Sequence, residues 1–234
     1  MKKLALTIAA AGLTAAAFAQ GTVNWTGVAG NFVGQTNGTV YSSFETSQGS
    51  PTGGTVGNTL GNTAANDASL GFQGYYYELL VSSSAAAAPT TLAGLAAWSD
   101  TSLGATNSAA SNGRIVQVAG LQNSVANNWA VGNTEGIILV GWSANLGSSW
   151  STVYTELQNW GSDSIANAYF GVSSFASTTI GSANPGITVL GSGVINNAAA
   201  NPEQLDLLGT VPEPGTMALA AIGGASLLLF RRKK

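Results

Sequence analysis

Three glutamates, Glu78, Glu135 and Glu156, fall on or beside segments suited to regular structure. Two carboxyls facing each other across a cleft can hydrolyse a glycosidic bond, one as acid and the other as base or nucleophile. Nothing in their spacing pairs these three, and most exposed acids only solvate a surface. The 234 residues include no histidine and no cysteine. A Ser-His-Asp triad is therefore absent, and so are the usual ligands of zinc. Gly141-Trp142-Ser143 is not a nucleophile elbow, because Asn145 stands where that motif needs its second glycine. Asn66-Asp67 and Asp163 offer oxygens to calcium, but no acidic ladder accompanies them. No metal site and no cofactor is implied.

Aromatic rings are the other candidates. Exposed tryptophans stack on pyranose faces, because sugar C–H groups complement the ring's negative face. Trp25, Trp98 and Trp129 lie near expected loops or strand ends, where they could contact glycan. Packing in the core is the commoner role for such rings. Trp150 and Trp160 share one helical face and belong to a core. Tyr75-Tyr76-Tyr77 stand on a strand, which sends Tyr76 to the face opposite its neighbours. Asn24-Trp25-Thr26 and Asn37-Gly38-Thr39 match the N-glycosylation pattern, a match that arises by chance in a chain so rich in Asn, Ser and Thr.

The elements that must position these residues are mostly short strands. Gly, Asn, Ser and Thr punctuate the chain, and β-prone runs lie between them. Strands are expected at 22–28, 39–45, 71–81, 114–118, 136–142, 169–175 and 187–195. The run at 136–142 is nearly continuous Ile-Ile-Leu-Val, like a strand buried on both faces. Trp150, Val153, Tyr154, Leu157 and Trp160 instead follow helical spacing. Ser149 suits its N-cap and Gly161 its stop. A second short helix is expected at 90–98. Residues 49–65 and 101–113 read as polar loops, and 201–210 as a linker. The expected fold is mainly β: an antiparallel β-sandwich, jelly-roll-like, with one amphipathic helix near 149–160. A β-helix or an irregular Gly-rich matrix protein is the competing reading.

The two ends carry a different kind of information. Met1-Lys2-Lys3, an apolar run at 4–17 and Ala17-Phe18-Ala19 make a signal peptide, 1–19, with Gln20 as the mature start. At the other end, Val211-Pro212-Glu213-Pro214 precedes an apolar run at 215–230 and then Arg231, Arg232, Lys233 and Lys234. The run spans about 24 Å as a helix, short for a hydrocarbon core of about 30 Å. Snorkelling cations extend it and hold its end cytoplasmic. Between Gln20 and Thr210, Arg114 is the only cation against nine carboxylates. The chain from Gln20 to Thr210, which holds the expected β-rich domain at 20–200, therefore carries about −8 and repels nucleic acid and anionic lipid.

This three-part tail resembles the PEP-CTERM sorting signal, with Pro212, Glu213 and Pro214 as its motif. The resemblance covers about a tenth of the chain. It implies recognition by exosortase, an integral membrane protease, with transient anchoring and cleavage near the motif. It also implies an exported, membrane-anchored precursor that ends at the cell surface or outside it, among exopolysaccharide. The expectation is a non-enzymatic surface or matrix protein. A secreted carbohydrate-binding module is the alternative, and a glycoside hydrolase using paired carboxylates a further one.

Overall fold

The computed structural model describes residues 20–24, 34–44, 56–59, 74–107, 115–117, 124–161, 164–182, 186–189, 195 and 203–209. The expected signal helix and transmembrane helix lie outside them. In chain order the described strands are β1 (Gln20–Asn24), β2 (Gly34–Tyr41), β3 (Val56–Thr59), β4 (Tyr75–Ser82), β5 (Ser99–Asn107), β6 (Ile115–Gln117) and β7 (Ser124–Ala130). They continue with β8 (Thr134–Ser143), β9 (Tyr169–Val172), β10 (Ala176–Thr179), β11 (Ile187–Thr188) and β12 (Glu203–Leu207). Two α-helices are described, α1 (Leu92–Leu95) and α2 (Trp150–Gln158), and a 3-10 turn at Ala144–Leu146.

The centre is an unbroken antiparallel ladder between β4 and β8, running from Tyr75↔Ser143 to Ser82↔Gly136. Alternation divides its side chains between two cores. Tyr75, Tyr77, Leu79, Val81, Ile137 and Leu139 enter one. Leu80, Ile138, Val140 and Trp142 enter the other. Residues 137–140 are each 0% exposed, so this strand is buried on both faces, as its composition predicts. Full burial of one such side chain stabilises the fold by about 1.5–3 kcal/mol.

The larger sheet has the order β3-β2-β12-β9-β8-β4-β5-β6, and β10 also pairs with β8. A smaller sheet, β11-β1-β7, supplies Val23, Ala126 and Trp129 to the first core. The opposite face is covered by α1 and α2 through Leu95, Trp150, Val153 and Leu157. The architecture is thus a two-sheet sandwich with helices on its outer face. Most pairs are antiparallel, but β12 runs parallel to β2 and β11 parallel to β1. The jelly-roll closure depends on connections outside the described residues.

Ser149 caps α2 as expected, its hydroxyl accepting the Thr152 N–H at 3.4 Å. Thr91 caps α1 in the same way. Three expected irregular segments differ. The 101–113 loop contains most of β5, whose Thr101, Leu103, Ala105 and Asn107 are buried at every second position. The 201–210 linker contains β12, inserted between β2 and β9, with Leu205 and Leu208 buried. The 49–65 loop likewise contains β3.

One edge of β8 is shared by β9 and β10, which are separated at 173–175. Two serine hydroxyls extend the ladder at the two ends of β9. Ser173 Oγ accepts the buried Leu139 N–H at 2.8 Å. Ser143 Oγ accepts the Tyr169 N–H, also at 2.8 Å. Removing either hydroxyl orphans a buried donor. We expect Ser173→Ala and Ser143→Ala each to lower unfolding free energy by about 1–3 kcal/mol. The exposed Ser148→Ala should stay within about 0.5 kcal/mol. Urea midpoints of the three variants provide the check.

Candidate functional site

The tryptophans proposed for glycan contact are placed as follows. Trp129 is 0% exposed, and its Nε1 donates to the Asn133 carbonyl at 3.1 Å. Trp98 is 8% exposed and meets Phe175 edge to face, with ring centroids 6.4 Å apart. Neither offers a ring face for a sugar. Trp25 lies outside the described residues. Trp150 stacks on Phe170 at 6.1 Å, and Phe44 meets Phe170 edge-on at 5.0 Å. Phe44 and Phe170 thus lie beneath the start of α2, which contributes Trp150.

The structure makes one carboxyl pair that the spacing did not reveal. Glu78 hydrogen-bonds to Asp100, a residue on the next strand. The β4–β5 register shifts between Glu78 and Leu80, and this irregularity brings the two together. Glu78 Oε2 lies 3.3 Å from where a Cβ on Gly104 would sit, so the glycine leaves room for the carboxyl. Glu78 Oε1 is buried with no hydrogen-bond partner. Asp100 Oδ1 accepts the Ser102 N–H at 2.6 Å, and its carbonyl accepts Asn128 Nδ2 at 2.7 Å. Ser102 and Asn128 both have left-handed backbones, with φ of 57° and 60°. Asn127 Nδ2 donates to Ser102 Oγ at 3.0 Å and ties the two turns together.

Burial, and then the neighbouring Asp100 charge, push the Glu78 carboxyl up to about 9. It therefore keeps its proton at neutral pH and donates it to Asp100. Carboxyls in direct contact leave no room for a sugar, whereas glycoside hydrolysis needs about 5 Å or more between them. Glu135 is buried on β8 and Glu156 half-buried on α2, and neither joins this pair. Among the described residues, no group of three acids or other ligands could hold a metal ion.

The remaining candidates belong to the C-terminal tail, and the structure shows where that tail leaves the domain. Leu207 pairs with Tyr169, and the Leu208 N–H donates to the Ala168 carbonyl at 2.7 Å. Trp160, just beyond α2, donates its Nε1–H to the Gly209 carbonyl at 2.6 Å. Val211 to Pro214 and Arg231 to Lys234 lie outside the described residues, as do Ala17 and Ala19. Gln20 opens β1. Among the described residues no helix is long and apolar enough to cross a membrane.

Residues 210–233 match the family model of the PEP-CTERM protein-sorting motif. No curated protein and no solved structure matches the chain. The motif marks an exported surface protein that exosortase recognises and processes.

The Glu78 proton makes stability depend on pH. An unfolded Glu78 ionises near 4.5, while the folded one holds its proton to about 9. Between those values the unfolded chain releases a proton that the folded chain keeps. Stability is therefore fullest below the lower value and falls by up to about 1.4 kcal/mol per pH unit as pH rises through the window. Glu78→Gln keeps a donor for Asp100 and removes this titration. Its melting temperature should exceed the parent's by several degrees near pH 8 and match it near pH 4. Parallel melting curves across that range would show that Glu78 is not the group.

Proposed function

We propose that the chain is a non-enzymatic surface or matrix protein whose folded domain, 20–209, is delivered by its two ends. Residues 1–19 serve as a signal peptide, removed between Ala19 and Gln20. Residues 215–230 anchor the exported precursor as a transmembrane helix, with Arg231, Arg232, Lys233 and Lys234 on the cytoplasmic side. Exosortase then cleaves close to Val211-Pro212-Glu213-Pro214. The released domain joins an exopolysaccharide-rich surface.

The observation that carries this reading is the sorting-motif match at 210–233, which starts directly after Gly209, the last described residue. Two further features support it. The strand β1 begins at Gln20, so cleavage there leaves the described sheet whole. Outside its ends the chain holds one cation, Arg114, so little draws it to anionic lipid once the tail is gone. Its polar surface of Ser, Thr, Asn and Gln suits sugar-rich surroundings.

An epitope tag placed after Lys234 tests the tail. The parent should lose the tag during maturation, while a chain with Pro212, Glu213 and Pro214 replaced by alanine should keep it in the membrane fraction. A parent that retains its tag ends the processing reading. N-terminal sequencing of the released form should begin at Gln20.

A further inference from the structure

The chain's folded part and its sorting motif are almost contiguous. The Trp160–Gly209 bond fixes the last described residue to the sheet and helix. Only Thr210 and Val211 separate Gly209 from Pro212. Three extended residue steps reach at most about 11 Å. A protein bound specifically to another covers about 800 Å² on each side, a disc about 30 Å across. An enzyme that grips Pro212–Pro214 must therefore lie against the face of the domain from which Gly209 emerges.

That face holds a groove of about 330 Å³, between the turn after β2 and the ends of α1 and α2. Phe44, Leu92, Leu157 and Trp160 line it, with Ser43 and Gln158 at its polar edges. Trp160 is both a wall of the groove and the residue that holds Gly209. On the other side, Ser42 donates its N–H to the Leu207 carbonyl at 2.8 Å, which sets the Phe44 turn beside the same end of β12. Among the described residues none that lines it is charged, on a domain of about −8. An acidic domain brought up to a headgroup layer is repelled wherever it presents carboxylates. An uncharged apolar groove beside the tail avoids that repulsion.

We propose that this groove is a second docking point for exosortase, taking an apolar side chain from the enzyme's outward-facing rim while the motif occupies the active site. The inference rests on the sorting reading above and adds the domain surface to what the enzyme recognises. The folded domain then contributes to the choice of substrate, and the short 210–211 connection keeps groove and motif in register.

The test uses the full-length chain with a tag after Lys234, in cells that contain exosortase, and follows tag loss by pulse-chase. Ala93→Trp and Gly161→Trp fill the groove from exposed positions, and a Cβ at Gly161 meets nothing within 4 Å. Each should slow processing at least about five-fold, the scale of losing one well-packed anchor. Inserting about twelve Gly/Ser residues after Gly209 frees the motif from the domain face. In that background the two tryptophan substitutions should have no effect. Processing of Ala93→Trp and Gly161→Trp at the parent rate overturns the proposal. Equal slowing with and without the spacer also overturns it, since the defect then does not pass through this face. The alanine triple variant at 212–214 separates the two readings: if it loses its tag as fast as the parent, the sorting reading itself fails.

Discussion

The fold depends on one constraint: a nearly cation-free chain without cysteine must hold its sheets by apolar contact and backbone pairing alone. With Arg114 as the only cation between Gln20 and Thr210, salt bridges can add little, and no disulfide restrains the unfolded chain. The β4–β8 ladder meets that constraint by being apolar on both faces. Leu79 and Ile137 serve the sandwich core while Leu80 and Ile138 serve the helical side. Every other layer is laid against this pair of strands. Gly136 shows how close the layers come. A Cβ there would approach the Phe175 ring to 2.7 Å, so the missing side chain lets the ring lie on the strand.

Against such a frame, a half-buried carboxyl with one oxygen fully enclosed is conspicuous. Glu78 occupies β4 between Tyr76 and Leu80, on the face that otherwise packs under the helices. Ionised, it would face the Asp100 carboxylate with no cation among the described residues to offset the repulsion. Protonated, it is a hydrogen-bond donor to that same group. The proton thus does the work that a lysine or arginine would do in a less acidic domain. The two left-handed residues at 102 and 128 are held by hydrogen bonds centred on Asp100 and Ser102, so the pair also organises the local backbone.

Some of this was legible in the sequence and some was not, for physical reasons. The spacing of Trp150, Val153, Leu157 and Trp160 predicts α2 and its buried face, and Ser149 predicts its cap. The run at 136–142 predicts a doubly buried β8. β5 stayed hidden because two of its core-facing residues are polar. Thr101 donates to the Leu79 carbonyl at 2.7 Å, and Asn107 Nδ2 donates to the Tyr77 hydroxyl at 3.4 Å. Their bonds make burial tolerable, yet on paper the stretch resembles a loop. β12 was disguised by Glu203, Gln204 and Asp206, which surround the few leucines that it buries. Glu78 and Asp100 are far apart in sequence, with α1 between them, so only the hairpin register joins them.

β12 also changes how the tail relates to the domain. A flexible linker at 201–210 would let exosortase handle the motif as an isolated peptide. Instead this strand lies inside the larger sheet, parallel to β2 and antiparallel to β9, and its end is held by Leu208 and Trp160. Pulling the motif away from the domain would mean breaking these contacts, and Leu205 and Leu208 would lose their burial. Removing two such side chains from a core costs several kcal/mol, more than a short extended peptide gains by moving freely. The motif therefore begins three residues beyond Gly209, a point held on a folded body. Delivery and folding share the same strand, and the enzyme that cuts after it meets a finished domain.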